Sequence, residues 1–249
     1  MYLKSLEINN KLSVSEIVAT DYRTAEVFRL HGISYCCGGK WPLDMACEIA
    51  GVDIKKISKD LEHATRQAHG YMLHDFENWD IDFLIDYIIT IHHSYLKKNL
   101  PSTQQLLAEF AKEHSKKFSW LADLEKKFAL LVDQLQFSMK EEENNLFPYI
   151  RQLVHAHRDK EPYALLLVKT LRKPLGETMS KSYRMITGII LHIRELTSTY
   201  CSPENVCTSH KVVLAKLLEL DQDIMQHLYL EEAVLFPRAI AIEKEMLAV

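Results

Sequence analysis

Apolar residues recur along the chain with a helical period, and the pattern changes character near residue 75. Upstream the periodic stretches are short and punctuated. Ser13 stands ahead of Val14-Ser15-Glu16-Ile17-Val18 as an N-cap followed by an acidic first turn. A second stretch, Tyr22 to His31, carries Ala25, Phe28 and Leu30 and stops at Gly32. Pro42 is placed at the first helical position ahead of Leu43 to Ala50, and Gly51 closes that helix. Asp53 caps a further helix from Ile54 to about Ala68. The segment from His69 to Trp79 has no clear period and reads as a linker. It divides a small helical domain, residues 1–75, from a larger one, residues 76–249.

Downstream the pattern lengthens into four amphipathic stretches. The first runs from Ile81 past Pro101, with Ile85, Ile89, His93, Leu96 and Leu100 on one stripe; Pro101 is expected to kink it. A competing stripe through Ile81, Leu84, Ile88 and Tyr95 would turn His92 inward instead. The second runs from Trp120 to about His157, through Phe128, Leu135, Ser138, Glu142, Leu146 and Tyr149. The third, Leu175 to about Thr199, carries Met179, Tyr183, Ile186, Ile190 and Ile193. The fourth, from about Thr208 to Pro237, carries Val213, Leu217, Leu220, Ile224, His227, Glu231 and Leu235. A short helix over Tyr163 to Leu171 bridges the second and third. The expected fold is all-α, an N-terminal helical domain followed by an up-down four-helix bundle.

Two of these stretches repeat. Glu142-x3-Leu146-Phe147-Pro148 and Glu231-x3-Leu235-Phe236-Pro237 align without a gap. The position four before the Glu is Ser138 in one copy and His227 in the other. A His and a Glu four apart share a helix face. Each feature alone is unremarkable: a lone core-edge histidine, a surface i,i+4 pair, and a solvated run in Lys140-Glu141-Glu142-Glu143. Their common phase is what signifies. Two carboxylates on otherwise apolar stripes cost several kcal/mol unless something charged pairs with them. With His227 one turn away and His93 on another helix, the partner is expected to be a metal ion.

Composition fits this picture. Only seven Gly and seven Pro occur in 249 residues, which disfavours a turn-rich sheet fold. A net charge of −4 supplies no basic footprint for nucleic acid. No apolar run suits a signal peptide or a membrane span, so a soluble, cytoplasmic protein is expected. Five Cys, two of them adjacent, do not form a secreted disulfide framework. Cys36-Cys37 precedes Gly38-Gly39-Lys40 and a helix start, a setting that lowers thiol pKa; the plain alternative is two small residues at a turn. Cys47, Cys201 and Cys207 read as structural singletons.

Taken together these motifs resemble the Repair of Iron Centers family, in which an ScdA-type N-terminal domain precedes a hemerythrin-like bundle. The resemblance rests on Phe28-Arg29-x-His31-Gly32 and Tyr35-Cys36-Cys37-Gly38-Gly39-Lys40, then on His93 with Leu100-Pro101, Lys140 to Pro148, and His227 to Arg238. It implies a non-haem di-iron centre held by four His and two bridging Glu. It also implies restoration of damaged iron-sulfur clusters under nitrosative or oxidative stress, with damaged iron-sulfur proteins as recipients. A homodimer is possible, and repair or iron donation is favoured over turnover catalysis. Residue by residue, His93, Glu142, His227 and Glu231 match. The His expected before the first Glu is Ser138, and the His expected on the third helix falls at Tyr183; His192 is out of phase. By the family pattern both losses fall on one iron, so a single ion is favoured, with di-iron possible and Tyr183 a weak ligand. Cys36 and Cys37 would serve as a thiol relay or partner contact. Two other readings stand beside this one: a redox protein using Tyr183 beside the metal for oxygen or nitric oxide chemistry, and a metal-poor sensor or interaction module.

Overall fold

A computed structural model describes residues 11–21, 24–35, 39–65, 76–162, 166, 168–169, 175–203 and 206–247. They fall into two compact units, Met1–Met72 with Tyr200–Leu218, and Leu73–Thr199 with Glu219–Val249. The described residues form helices and turns, with a single isolated β-bridge between Ser13 and Pro42.

The first unit holds α1 (Val14–Thr20), α2 (Thr24–Leu30), α3 (Leu43–Ala50) and α4 (Ile54–Thr65). Ser13 and Glu16 form a reciprocal capping box at the start of α1. Helices α2 and α3 end alike. The Gly32 N–H donates to the Arg29 carbonyl and the Ile33 N–H to Phe28, with Gly32 at φ +69°. Gly51 and Val52 donate to Glu48 and Cys47 in the same way, with Gly51 at φ +67°. Each is a Schellman closure that needs a left-handed residue. Pro42 sits one position earlier than expected: it is the N-cap of α3, because its extended backbone is taken up in the bridge to Ser13. Gly39 has no room for a side chain, since a Cβ there would lie 2.4 Å from the Tyr35 carbonyl oxygen. Cys36 and Cys37 lie outside the described residues. Cys47 is buried; burial first, then the charges of Asp44 and Asp53, push its thiol pKa up and leave it unreactive.

The four-rod bundle makes up the second unit, except that the start of its fourth rod, residues 208–218, is grouped with the first unit. Its first rod runs α5 (Ile81–Tyr87), a π-helical turn Ile88–His93, and α6 (Ser94–His114). The second runs α7 (Leu121–Glu141), a π turn Glu142–Leu146, and α8 (Phe147–Arg158). The third is α9 (Leu175–Leu196). The fourth runs α10 (Thr208–Tyr229), a π turn Leu230–Leu235, and α11 (Phe236–Leu247). The rods alternate in direction: the start of α6 meets the end of α7, the end of α7 meets the start of α9, and the end of α9 pairs with α10 through Arg194 and Asp221 at 2.6 and 2.7 Å.

Three local expectations change. The fourth stretch does not end at Pro237 but runs on for about three more turns to Leu247, while the second runs past Pro148 to Arg158, in line with the end expected near His157. A proline inside a helix lacks an N–H and crowds the carbonyl four back, and a widened turn just ahead of Pro148 and Pro237 relieves that. The helix does not stop and resume around Pro101, since α6 is continuous from Ser94 to His114. Nearby side chains occupy carbonyls around it, Asn99 Nδ2 on Tyr95 and Ser102 Oγ on Asn99. The C-terminal end of the supposed linker is also ordered. Phe76, Trp79, Phe83 and Tyr87 form an aromatic cluster, and Arg238 donates to the Trp79 carbonyl at 2.7 Å. The short helix expected over Tyr163 to Leu171 lies mostly outside the described residues. No described helix is long and apolar enough to cross a membrane.

Asp82 ties α5 to α8, accepting from Arg151 Nη1 at 2.9 Å and from His155 Nε2 at 2.7 Å. Burial pushes its carboxyl pKa up, but the His155 and Arg151 contacts outweigh this and hold it below the usual value. Such a group stabilises the fold above its unfolded pKa and loses that contribution as pH falls through the folded value. Asp82→Asn is expected to destabilise the chain by about 1 kcal/mol at pH 7, with the penalty shrinking below about pH 4; urea melts of both proteins across pH check it.

Candidate metal centre

Each π turn holds a site residue. His93 ends the first, Glu142 opens the second, and Glu231 lies in the third. The widened turns close on the two acids themselves: the Phe147 N–H donates to the Glu142 carbonyl and the Phe236 N–H to the Glu231 carbonyl, five residues back. The repeat seen in sequence is therefore one backbone device used twice. In the first rod the π turn also settles which of two adjacent histidines faces inward. Both do, because the extra residue shifts the helix phase; His92 and His93 are 1% and 0% exposed.

His93, Glu142, His227 and Glu231 converge. One ligand atom from each lies within 4.8 Å of the others, and all four side chains are buried. His93 Nε2 is 3.1 Å from His227 Nε2 and 3.3 Å from Glu142 Oε2, while His227 Nε2 is 3.1 Å from Glu231 Oε1. Glu142 Oε2 and Glu231 Oε1 are buried without a hydrogen-bond partner. Buried carboxylate oxygens left in this state are destabilising. Two imidazole nitrogens aimed at each other and at those oxygens compose an N2O2 donor set suited to a divalent first-row metal. The residues present fit a single ion.

Surrounding groups orient these four. His93 Nδ1–H donates to Glu143 Oε1 at 2.7 Å, and Lys97 Nζ donates to the same carboxylate at 2.6 and 2.8 Å. That carboxylate fixes the tautomer and leaves Nε2 free to ligate. His92 stacks on His227 with ring planes 14° apart, and its Nδ1 pairs with Asp223 at 3.0 Å. It faces the site as a neighbour of the ligand set rather than a member. Ser138 Oγ donates to Glu142 Oε1 at 2.5 Å. Across from it on α9 stands Ser182, hydroxyl to hydroxyl at 3.0 Å. Tyr183, the third-helix residue singled out in sequence, lines the adjoining cavity.

Electrostatics divide the acids. Burial pushes the Glu142 carboxyl up, but His93, His227 and the Ser138 hydroxyl together bring it below the usual value. Burial, then the Glu142 charge, push Glu231 well above it. Burial lowers the His227 imidazole pKa, against the opposing charges of Glu142 and Asp223.

Glu143, Lys97, Ser182 and Asp223 were not picked out in sequence. Glu143 was hidden in a charge run, though its place beside Glu142 and the four-residue step from His93 to Lys97 were visible signals. Ser182 had no signal of its own, being one residue from the aligned position.

Two family models match the chain in turn. Residues 10–65 match ScdA_N, a domain of unknown function (DUF542), and residues 84–239 match the hemerythrin HHE cation binding domain. The chain is similar to the iron-sulfur cluster repair protein YtfE of Enterobacter sp. (strain 638), of Escherichia coli O8 (strain IAI1) and of Shigella boydii serotype 4 (strain Sb227). Each is 27% identical over 230 residues, 92% of this chain and 97% of the relative.

Two outcomes are expected. Glu143→Gln should weaken metal binding about 10- to 100-fold, as loss of a ligand-orienting carboxylate does, read by competition with a chelator. Glu231, with its folded pKa raised, stabilises the metal-free chain below the ordinary Glu value, and that contribution is lost as pH rises through the folded value. Glu231→Gln should flatten this alkaline loss in metal-free urea melts while abolishing metal binding.

Proposed function

The chain belongs to the hemerythrin HHE cation binding family, with an ScdA-type domain ahead of the bundle, and from that premise we propose an iron-binding protein of the iron-sulfur cluster repair type, holding one ion on His93, Glu142, His227 and Glu231. The observation that carries the single-ion reading is the asymmetry of the site. Two imidazoles and two carboxylates converge on one side, and on the other the second and third rods meet through Ser138 and Ser182 at 3.0 Å. A hydroxyl pair is a weak substitute for two imidazoles as ligands to a second iron.

Iron held there supplies an ion able to change oxidation state by one electron and to be passed on. The side chains set the terms on which it is held. Glu143 and Lys97 keep the His93 Nε2 lone pair pointed inward. Ser138 holds Glu142 in place and ionised. Glu231 is the weaker member of the set: burial and the Glu142 charge raise its carboxyl pKa, so metal binding there competes with a proton. A protein that gives iron up to a damaged cluster needs one such weak point. The recipients, on this reading, are damaged iron-sulfur proteins in the cytoplasm. Cys36 and Cys37 act as a thiol relay or as the contact surface for a recipient.

A redox reading, with Tyr183 beside the metal, draws on one observation: Tyr183 lines the cavity that Glu142 and Glu231 also line. A metal-poor sensor is disfavoured by the two buried, unpaired carboxylate oxygens. Protein purified anaerobically from iron-replete cells should hold about one iron per chain, and His227→Ala should reduce this to background. Two irons per wild-type chain would contradict the single-ion reading, and none would favour the sensor. A tyrosinate-to-iron absorption band would favour the redox reading.

A further inference from the structure

Beside the ligand set the bundle holds a cleft of about 360 Å³ that is partly open to solvent, with Phe137 exposed at its rim. Phe137, Leu146, Tyr183, Ile186, Leu228 and Phe236 form its apolar walls. Its inner end is made by Ser138, Ser182, Glu142 and Glu231, and its acidic edge includes Glu141 and Glu232. This is the side of the site on which the resemblance implies two more imidazoles and a second ion, and where this chain has two serines and a tyrosine. We propose that the space is a binding pocket for an uncharged, mainly apolar molecule, about one aromatic ring in size, that carries a hydroxyl donor. The proposal rests on the single-ion reading of the same site.

Size comes first. A dry cavity of about 150 Å³ accepts benzene, and small-molecule pockets begin at about 300 Å³. A volume of 360 Å³ takes one ring with a short substituent.

Polarity selects the head group. A serine hydroxyl has one proton to donate. Ser138 gives its proton to Glu142 Oε1, so in the 3.0 Å contact with Ser182 it is Ser182 that donates. Both serine protons are then committed inside the wall. When both acids are ionised, as with an ion bound, what these four residues offer at the inner end is acceptors, namely the lone pairs of Ser182 Oγ and the carboxylate oxygens; the Tyr183 hydroxyl and the Asn145 amide stand elsewhere on the lining. A ligand reaching that end must bring a donor.

Charge excludes anions. Four carboxyl groups line the cavity and, among the described residues, no Lys, Arg or His does. The walls exclude cations less directly: an ammonium group would exchange water for phenyl and alkyl surface, while Glu142 is already engaged by Ser138 and both acids belong to the ligand set. A phenol-class molecule meets all three conditions. It fills the volume, donates one proton to Ser182 or a carboxylate, and brings no charge.

The probe is 4-methylphenol, with toluene, 4-methylbenzoate and 4-methylbenzylammonium as comparisons. Each is titrated by calorimetry into the full-length protein, metal-free and zinc-loaded, after the metal per chain has been counted. 4-Methylphenol is expected to bind with a Kd below about 1 mM, at least tenfold tighter than toluene, with no detectable binding of 4-methylbenzoate. In manganese-loaded protein its proton resonances should broaden far more than in zinc-loaded protein, which places it beside the ion. Ser182→Phe should abolish this binding when compared with the wild type at equal metal content per chain. Ser182→Ala, which keeps the cavity and the fold, should bring 4-methylphenol down toward toluene. No binding of 4-methylphenol, equal binding of 4-methylbenzoate, tighter binding of the ammonium compound, or an unaffected Ser182→Phe protein would each overturn the pocket. Two metals per chain with 4-methylphenol still bound would overturn the single-ion reading alone. One metal and no 4-methylphenol would overturn the pocket alone.

Discussion

Two carboxylates on different helices are buried side by side, and most of what is distinctive in this bundle follows from making that tolerable. Glu142 and Glu231 are 7% and 3% exposed. Two ionised acids at that depth repel each other and lack water to screen them. The chain answers in three ways. It brings His93 and His227 against them, it sets the Ser138 hydroxyl on Glu142, and burial raises the carboxyl pKa of Glu231, which favours its uncharged form. Without a cation the arrangement is a destabilising one, with carboxylate oxygens that find no partner. With one it is a ligand set. Stability and function are therefore coupled at this one point, and the apolar core around it supplies the rigidity that keeps the four side chains from relaxing apart.

The backbone serves the same end. Three π turns occur among the described residues of the bundle, and each carries a member of the set. In two of them the prolines of the Leu-Phe-Pro repeats sit directly after the widened turn, so the sequence element that strains the helix also fixes where it widens. The acids are then held by backbone bonds that close on their own carbonyls. Their side chains approach the site from rods that run on past it and pack again as α8 and α11, through Ile150, Leu153 and Ala239. A site built on continuous, doubly anchored helices has few ways to spread, which suits a metal centre between rods.

Much of this was legible from the residues. The four long stripes located Glu142, Glu231 and His227 on buried faces, and the gapless repeat identified the acids as equivalent. Local chemistry was equally readable in the N-terminal unit, where the Ser13 and Glu16 capping box and the glycines at 32 and 51 end or begin helices as expected. What sequence could not give was the phase change. A π turn adds a residue without any signature in a periodic count, so the competing stripes through His92 and His93 looked like alternatives when both are buried. The same blindness ended the fourth stretch at Pro237, where the helix runs on to Leu247. Ser182 escaped notice for a related reason: its neighbour Tyr183 fits the apolar stripe, and a one-residue rotation decides which of them meets Ser138. Glu143 lay in a charge run, and only three-dimensional proximity to His93 and Lys97 separates it from the solvated acids around it.

The centre is lopsided, with His93 and His227 on one side and Ser138 and Ser182 on the other. X-ray absorption fine structure at the iron edge of the loaded, full-length protein reads the neighbours of the metal itself. The expected result is a shell of nitrogen and oxygen donors with the outer-shell scattering of two imidazoles and no metal-metal vector. A metal-metal vector, or outer-shell scattering that requires more than two imidazoles per iron, would contradict it.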